Sequence, residues 1–446
     1  MKKYIVLFFI ILLILAGSFF TFRSKMQIKP LTTADNTKIW VLSDPHFIHP
    51  DLYDDGSAFQ RMQETSAGKE LLHQTNSWQS LLSQAKQEQP DYLIVTGDLT
   101  FNGEYDSAEA LSHYFAELEA LGIQVFVIPG NHDIHDGWAR KFEADQQIVT
   151  KQISPHDFRK LFATSYDAAL AKDENSLSYI VQGTNDVRFF FLDTNLYPFE
   201  TSRRQPATGG AIKDESLRWL ETQLEDAEKA QQTPLIFMHH NLFKHNEYVY
   251  KGYVLNNAED VQRLFAHYQI PLVFSGHIHA QDILQEDNII EVTTGSFAIA
   301  PQSIGELQLE KNHWRYTRQE LDTKNQPTPK GFSSYQDYLK DFLLQDGKRF
   351  AYGQMIEQGI YDSDQLDAVA EVVGEAHVRY FTGNDYLSNT EIQQLEQSPG
   401  YQLLEQMEIG SLLNYLTSIQ QDTNLPDDQL ELTYTPAKQW QIVEQN

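Results

Sequence analysis

The sequence predicts an α/β protein followed by a mostly helical C-terminal domain. Six short apolar runs alternate with longer amphipathic stretches between residues 38 and 280. That alternation is typical of strands buried on both faces with helices between them. After residue 332 the apolar positions recur at helical spacing, as in Tyr335, Tyr338, Leu339, Phe342 and Leu343. A chain of 446 residues with 41% hydrophobic and 12% aromatic residues can also bury a sizeable core.

The N-terminal run from Tyr4 to Phe22 carries no charged residue and follows Lys2 and Lys3. It is about long enough to cross a bilayer as one helix. We expect residues 1–22 to form a membrane anchor at the cell membrane, with the folded part of the chain extracellular. The alternative is a cleaved signal segment and a secreted protein, because Ala16-Gly17-Ser18 is an acceptable cleavage pattern. Residues 23–37 are predicted to be a polar tether.

The folded part divides into two predicted domains, at residues 38–321 and 333–446. Pro327, Pro329 and Gly331 mark residues 322–332 as a linker between them. The six apolar runs imply one large α/β layer, and short strands with turns at Asp287-Asn288 and Lys311-Asn312 close the first domain. The predicted strands are 39–42, 92–95, 125–128, 189–192, 235–238 and 272–274, and the predicted helices between them are 78–88, 105–121, 214–231 and 258–268.

Polar residues of the metal-ligand type follow five of the six predicted strands. Because ligands bind at the carboxyl ends of strands in an α/β sheet, we expect these groups to converge. One aspartate after a strand is often only a helix cap, and a lone histidine is usually a core or surface residue. Five histidines in company with two aspartates and an asparagine are hard to explain in that way. The groups are Asp44-Pro45-His46, Gly97-Asp98 with Asn102, Gly130-Asn131-His132-Asp133, His239-His240 and Gly276-His277-Ile278-His279.

This residue set favours a pair of divalent metal ions. The chain has no cysteine, so any metal must be held by imidazole, carboxylate or amide groups, which suit Mn, Fe, Zn or similar ions. Two ions about 3.5–4 Å apart require a bridging carboxylate, for which Asp98 is the natural candidate. Residues two apart in an extended segment point the same way, as we expect for Asp44 with His46 and for His277 with His279.

The net charge of −28 argues against a polymeric nucleic acid as partner, because lysine and arginine normally neutralise its phosphates. Two metal ions would nevertheless make the pocket locally positive. A small anionic phosphate substrate is therefore compatible with the acidic chain.

The ordered motif series resembles the calcineurin-like metallophosphoesterase superfamily over about residues 38–319. Asp44-Pro45-His46, Gly97-Asp98-Leu99-Thr100 and Gly276-His277-Ile278-His279 are most similar to the class III cyclic nucleotide phosphodiesterases. The resemblance implies a metallophosphoesterase-like α/β/β/α sandwich with an additional, mostly helical C-terminal domain. It also implies two divalent ions (Mn, Fe, Zn or Co). One ion would be held by Asp44, His46 and His279, the other by Asn131, His239 and His277, with Asp98 bridging.

The resemblance further implies a reaction. A metal-bridging hydroxide would hydrolyse a phosphodiester, such as 3′,5′-cAMP or a 2′,3′-cyclic nucleotide. His132 would protonate or stabilise the leaving alkoxide, and Asn131 and His132 would contact the substrate. Asp133 would orient His132 or cap the following helix.

Three other functions remain open. A broad-specificity extracellular phosphomonoesterase would use the same ligands, and a nuclease is disfavoured by the charge. An interaction protein with a structural metal is disfavoured because such sites are normally closed and rarely leave a spare histidine beside them.

Several further residues near these motifs are weaker candidates. His240 should point away from the metal site if its segment is extended. His135, Asn241 and His245 are candidate substrate contacts, with solvated loop residues as the alternative. The loop 197–210 carries Arg203 and Arg204, which could contact phosphate or form a plain surface pair.

Overall fold

A computed structural model describes residues 36–435 and 439–443, apart from 421, 423 and 424. The predicted anchor at residues 1–22, and the tether up to residue 35, lie outside the described residues. None of the described helices combines the length and the apolar character that crossing a bilayer requires.

The described residues form sixteen strands and twelve α-helices. The strands are β1 (Asn36–Leu42), β2 (Tyr92–Val95), β3 (Gln124–Val127), β4 (Arg140–Glu143), β5 (Gln146–Val149), β6 (Ala171–Lys172), β7 (Tyr179–Gln182), β8 (Val187–Leu192), β9 (Thr233–Met238), β10 (Leu272–Ser275), β11 (Asp282–Glu286), β12 (Ile289–Thr293), β13 (Ser303–Glu310), β14 (His313–Glu320), β15 (Gln429–Tyr434) and β16 (Trp440–Ile442). The helices are α1 (Ser57–Glu64), α2 (Gln74–Glu88), α3 (Tyr105–Ala120), α4 (Pro155–Leu161), α5 (Ala163–Asp167), α6 (Asp214–Lys229), α7 (Ala258–His267), α8 (Tyr335–Glu357), α9 (Ser363–Phe381), α10 (Asn389–Glu396), α11 (Pro399–Met407) and α12 (Gly410–Gln420).

The strands form two seven-stranded sheets and one small hairpin, β4-β5. The first sheet has the order β16-β15-β14-β13-β1-β2-β3, and the second has the order β11-β12-β10-β9-β8-β7-β6. The prediction of a single large layer was therefore wrong, because the six apolar runs divide equally between the two sheets. A strand covered on both faces has the same apolar pattern in either sheet, so the pattern does not specify the partner strand.

Aromatic side chains fill the space between the two sheets. The ring of Tyr92 on β2 lies 5.3 Å from that of Phe189 on β8, and Phe126 on β3 lies 5.4 Å from Phe191. On the outer side of the second sheet, α6 and α7 bury apolar residues against Phe190 and the neighbouring strands. Helices α2 and α3 pack in the same way against the first sheet. This arrangement confirms the α/β/β/α sandwich that the motif resemblance implied.

The helices α8–α12 form a separate apolar cluster, which confirms the mostly helical C-terminal region. The cluster also includes Ile278 and Ala280, so the helical region packs directly on the segment that carries His277 and His279. We predicted a mostly helical domain from residue 333 to residue 446 and named no strand in it. The structure instead returns the chain to the first sheet, where β15 pairs antiparallel with β14, and β16 pairs with β15.

Candidate metal centre

The carboxyl ends of five buried strands meet at one edge of the sandwich, as the sequence predicted. Asp44 and His46 follow β1, Asp98 follows β2, and Asn131 follows β3. The second sheet contributes His239 after β9 and both His277 and His279 after β10. The structure brings together two groups of donor atoms, each within 4.8 Å of one another: Asp44, His46, Asp98 and His279 in one group, and Asp98, His239 and His277 in the other.

Asp98 belongs to both groups, and its carboxylate lies midway between them. Its Oδ2 atom is 3.5 Å from Nε2 of His46 and also 3.5 Å from Nε2 of His239. The Oδ1 atom of Asn131 lies 3.1 Å from the same nitrogen of His239, so the amide adjoins the second group. All seven predicted ligands are therefore close to one another, in the two sets that the motif resemblance implied.

The segments that carry these residues are not extended, so our geometric reason for pairing Asp44 with His46 was wrong. The same reason failed for His277 and His279, which lie in different donor groups. Five non-glycine residues of the centre have positive φ: Asp44 (50°), His46 (41°), Asp98 (48°), His277 (68°) and His279 (64°). This backbone conformation costs on the order of 1–3 kcal/mol per residue and persists only where its surroundings hold it. Hydrogen bonds between the loops do so here, including the one from the His277 amide to Asp44 Oδ2 at 2.9 Å.

Two glycines allow the loops to approach this closely. A Cβ atom on Gly130 would lie 2.1 Å from the backbone nitrogen and from Oδ1 of Asp98. A Cβ on Gly276 would lie 1.7 Å from Ser43 Oγ and 2.5 Å from Asp44 Oδ2. Any larger residue at either position would displace a carboxylate of the centre.

Backbone carbonyls orient two of the imidazoles. Nδ1 of His239 lies 2.9 Å from the carbonyl oxygen of Thr96, so it donates its proton there and directs Nε2 toward Asp98. His277 is held the other way, because its Nε2 lies 2.9 Å from the Thr208 carbonyl and 3.0 Å from that of Gly252. Its Nδ1 therefore keeps the lone pair.

Burial sets the charge of most of these histidines. It lowers the pKa of His277 to about 3 and holds the pKa of His46 well below its usual range. The pKa of His239 is instead raised to about 9, because the charge of Asp98 outweighs the effect of burial. Neutral imidazoles are the form that binds metal ions, so burial favours that form at His46 and His277.

The centre fits divalent metal ions by its own chemistry. Asp44 Oδ1 and Asp98 Oδ2 are buried and accept no hydrogen bond from the described residues, although a buried carboxylate is costly without a partner. Both atoms lie inside the two donor groups. Imidazole, carboxylate and amide donors at this spacing suit Mn, Fe, Zn or Co. Asp44, His46 and His279 would hold an ion on one side of Asp98, and Asn131, His239 and His277 would hold one on the other side.

His132 lies beside the centre and belongs to neither donor group. Its ring is 5.3 Å from that of His46, and 22% of its side chain is exposed. Nδ1 is 3.0 Å from Asn102 Oδ1 and 3.2 Å from Asp136 Oδ2. Burial lowers the pKa of His132, but the negative charges of Asp98 and Asp136 outweigh it and raise the pKa. A proton on this imidazole is therefore stabilised next to the metal ligands.

The carboxylate of Asp133 bonds neither to His132 nor to the start of a helix, so both of its predicted roles were wrong. Its carboxylate accepts hydrogen bonds from the backbone N–H groups of Leu99, Thr100 and Gly130, at 2.8–3.1 Å. It therefore ties the loop after β3 to the loop after β2. Asn102 and Asp136 orient His132 instead, and sequence reasoning missed Asp136, which lies four positions after the histidine.

The weaker candidates are not ligands of either donor group. His240 belongs to neither donor group, but its ring lies 4.4 Å from that of His277 and its Nε2 lies 3.0 Å from the Thr208 carbonyl, so it packs against a ligand. Its Nδ1 lies 2.8 Å from Thr194 Oγ1. His135, Asn241 and His245 are buried rather than solvated, and none of them lies in either donor group. The loop 197–210 reaches the centre through the carbonyl of Thr208, whereas Arg203 and Arg204 are exposed on its surface.

A cavity of about 470 Å³ opens beside His46 and His132, and its cationic and aromatic residues were also missed by sequence reasoning. Lys69 and Arg140 supply positive charge, while Trp138, with its ring 6.4 Å from that of His132, supplies an aromatic surface. These residues follow no strand of the two large sheets, so the search for strand-end motifs could not find them. The cavity is lined by His46, Met62, Thr65, Ser66, Ala67, Lys69, Phe101, Asn102, His132, Trp138, Arg140 and Gln147.

Comparison with protein families gives two matches along the chain. Residues 37–281, more than half of the sequence, match the calcineurin-like phosphoesterase family. Residues 321–425 match the C-terminal domain of cyclic nucleotide phosphodiesterase. The first match contains all seven predicted ligands and His132, and the second covers the helices α8–α12.

Individual proteins that resemble this chain have low sequence identity to it. The chain is 27% identical over 192 residues to a probable cyclic nucleotide phosphodiesterase of Coxiella burnetii, covering 43% of this chain and 61% of the relative. It is 26% identical over 209 residues to a probable glycerophosphodiester phosphodiesterase of Arcobacter nitrofigilis, covering 46% and 63%. The chain thus spans less than two thirds of the length of these relatives. A solved structure of a dimetal phosphatase from Danio rerio is 16% identical, with a TM-score of 0.48, covering 64% of this chain and 96% of that one.

Proposed function

The chain belongs to the calcineurin-like phosphoesterase family, and from this premise we propose that it hydrolyses phosphodiesters with two divalent metal ions. The observation that carries the proposal is the position of Asp98, whose Oδ2 lies 3.5 Å from a histidine nitrogen of each donor group. One carboxylate between two ligand sets is what a two-metal site requires. When bound, divalent ions supply a nucleophile from water and stabilise the charge that develops on the phosphate.

The protein's own groups then account for the proton that the leaving alcohol needs. His132 faces the cavity, and its Nδ1–H is held by Asp136 and Asn102. Its Nε2 is left to carry the second proton and to donate it to the departing oxygen. The amide of Asn131, beside His239, adjoins the same phosphate position. A diester needs this assistance because an alkoxide is a poor leaving group without a proton.

Cyclic nucleotides are the substrate class that we propose. Support comes from the match of residues 321–425 to the C-terminal domain of cyclic nucleotide phosphodiesterase and from the name of the Coxiella burnetii relative. The cavity beside His132 has a volume of about 470 Å³ and an aromatic wall at Trp138. It has room for an organic group on the phosphate, and an indole offers a stacking surface to a nucleobase.

The experiment is an assay of the purified protein reconstituted with Mn²⁺. We expect metal-dependent hydrolysis of bis-p-nitrophenyl phosphate with a higher kcat/KM than for p-nitrophenyl phosphate, and hydrolysis of 3′,5′-cAMP or a 2′,3′-cyclic nucleotide. His132→Ala should lose most of the activity on the cyclic nucleotide and much less of that on bis-p-nitrophenyl phosphate, whose leaving group is stable without a proton. The matched control His113→Ala replaces an exposed histidine on α3 and should change neither activity. A preference for the monoester would replace the proposal with a broad phosphomonoesterase. No metal-dependent activity on any phosphoester would end it.

We also propose that the charge-free run from Tyr4 to Phe22 anchors the protein in a membrane, with the metal centre outside the cell. The length of the run and the preceding lysines support this proposal. Cell fractionation and protease treatment of intact cells test it. Full-length protein in the membrane fraction that is cleaved by external protease is the expected result. A protease-protected protein in the soluble fraction would contradict it.

A further inference from the structure

The loop between α1 and α2 brings Lys69 into the cavity beside the metal centre. Lys69 lines that cavity together with His46, Asn102 and His132. The ammonium group donates to the carbonyl oxygen of Ser66 at 3.2 Å. Among the described residues, no carboxylate lies within 4.0 Å of it.

An unpaired, partly buried lysine is unexpected in a chain with 62 acidic and 34 basic residues. Burial lowers the pKa of Lys69, and the carboxylates of Asp98 and Asp44 in the metal centre and of Asp346 on α8 partly offset that lowering. The carboxylates of Asp98 and Asp44 are committed to metal ions in the proposed function, and that of Asp346 pairs with Arg349 at 3.2 Å. Lys69 is then left with its charge facing the place where an anionic substrate would bind.

The C-terminal helical region holds this loop through the residue next to Lys69. The carboxylate of Glu70 is fully buried, and it accepts hydrogen bonds from the hydroxyl groups of Tyr335 at 3.3 Å and Tyr338 at 3.1 Å, both on α8. Within the loop, the same carboxylate accepts a hydrogen bond from His73 Nδ1 at 2.9 Å. On the other side of Lys69, a Cβ atom on Gly68 would lie 2.9 Å from Leu343 Cδ1 of α8. Helix α8 therefore contacts the loop on both sides of the lysine.

We propose that Lys69 binds a non-bridging oxygen of the substrate phosphate, and that α8 positions it there through Glu70. Lys69 is a substrate-binding residue in this scheme, and Glu70, Tyr335 and Tyr338 are positioning residues. The inference rests on the proposed phosphodiesterase function and gives the C-terminal helical region a role in it. That role is to fix the geometry of the phosphate site from outside the α/β sandwich.

The first test replaces Lys69 with methionine, which keeps the length of the side chain and removes its charge. A hydrogen bond to a charged group is worth enough to raise KM for bis-p-nitrophenyl phosphate by about tenfold or more. Binding of inorganic phosphate, measured by titration calorimetry, should weaken by a similar factor. The kcat should change by less than about twofold, because the interaction is present in both the ground state and the transition state.

The controls separate loss of the phosphate contact from other effects. Lys172→Met removes the same charge from the exposed edge strand β6 and should leave KM and phosphate binding unchanged. Lys69→Arg keeps the charge and should retain KM within about threefold. Metal content by plasma emission spectrometry should be equal in all three variants. An unchanged KM and phosphate affinity in Lys69→Met, with wild-type metal content, would overturn the inference while leaving the proposed function intact.

The second test addresses α8. The Tyr335→Phe/Tyr338→Phe variant removes both hydroxyl groups from Glu70 and should raise KM in the same direction as Lys69→Met. Combined with Lys69→Met it should add little further, since both changes act on one contact. Tyr352→Phe is the matched control, because Tyr352 lies on the same helix and donates instead to Asp367. Additive effects on KM would overturn the positioning role, and so would a KM equal to that of wild type.

Discussion

If His132 protonates the leaving group, then the carboxylate that orients it should matter only for substrates that need that proton. Asp136 is buried, and its Oδ2 lies 3.2 Å from His132 Nδ1, while Asn102 Oδ1 lies 3.0 Å from the same nitrogen. The Asp136→Asn substitution removes the charge and keeps the shape. A charge-assisted hydrogen bond contributes roughly 1.5–3 kcal/mol, and because Asn102 still holds the ring we take the lower value. That value corresponds to a loss of about tenfold in kcat.

The assay compares two leaving groups on the Mn²⁺-reconstituted protein. The loss of about tenfold should appear with a 2′,3′-cyclic nucleotide, whose ribose alkoxide leaves poorly without a proton. With bis-p-nitrophenyl phosphate it should be below about threefold, because p-nitrophenolate is stable as the free anion. Asp145→Asn, in the exposed turn between β4 and β5, serves as the control. Equal losses on both substrates would refute the assignment of His132 as the general acid.

Three further predictions concern metal content and stability. Asp98→Asn should lose both metal ions together, whereas His46→Ala should weaken the binding of mainly one ion. Plasma emission spectrometry of dialysed protein gives the ratio of metal to protein. One ion retained in Asp98→Asn would contradict a shared carboxylate. His245→Asn leaves the buried carboxylate of Glu291 without its cation, and it should lower the free energy of unfolding by about 3 kcal/mol. Although burial lowers the pKa of His245, the charge of Glu291 outweighs it and raises the pKa to about 10. The stabilisation by this ion pair is therefore full below the ordinary histidine pKa of 6.5 and is lost as pH rises through 10. Urea unfolding should therefore show a smaller difference at pH 10 than at pH 7, and an equal difference would contradict the ion pair. Burial raises the pKa of Asp427, so the folded protein holds a proton that the unfolded chain releases above pH 3.8, and stability falls as pH rises. Asp427→Asn should then raise the free energy of unfolding by on the order of 1 kcal/mol at neutral pH. The gain in Tm should be larger at pH 8 than at pH 5. A Tm below that of the wild-type protein at pH 8 would argue against this effect.

The metal centre was predictable because it depends on a local rule. Each ligand directly follows a strand, and carboxyl ends of neighbouring strands lie at one edge of a sheet. The reason that we gave for the pairing of Asp44 with His46 was nevertheless wrong. These residues turn toward each other through a left-handed backbone held by hydrogen bonds from distant loops, which no local pattern encodes.

The division into two sheets and the residues around His132 could not be read from the sequence in the same way. Pairing of β15 with β14 joins residues more than a hundred positions apart, and a short apolar alternation does not name its partner. Asp133 and Asp136 are both acidic and both within reach of His132. Which of them contacts the imidazole depends on the backbone N–H groups that Asp133 already satisfies. Lys69 lies in a loop without periodicity, so nothing in its own segment marks it.

The central claim is that two metal ions share the carboxylate of Asp98. Anomalous diffraction from crystals of the Mn²⁺-loaded protein measures this directly. We expect two peaks, one beside Asp44, His46 and His279 and the other beside Asn131, His239 and His277, with Asp98 between them at a separation of about 3.5–4 Å. A single peak, or two peaks without Asp98 between them, would contradict the account.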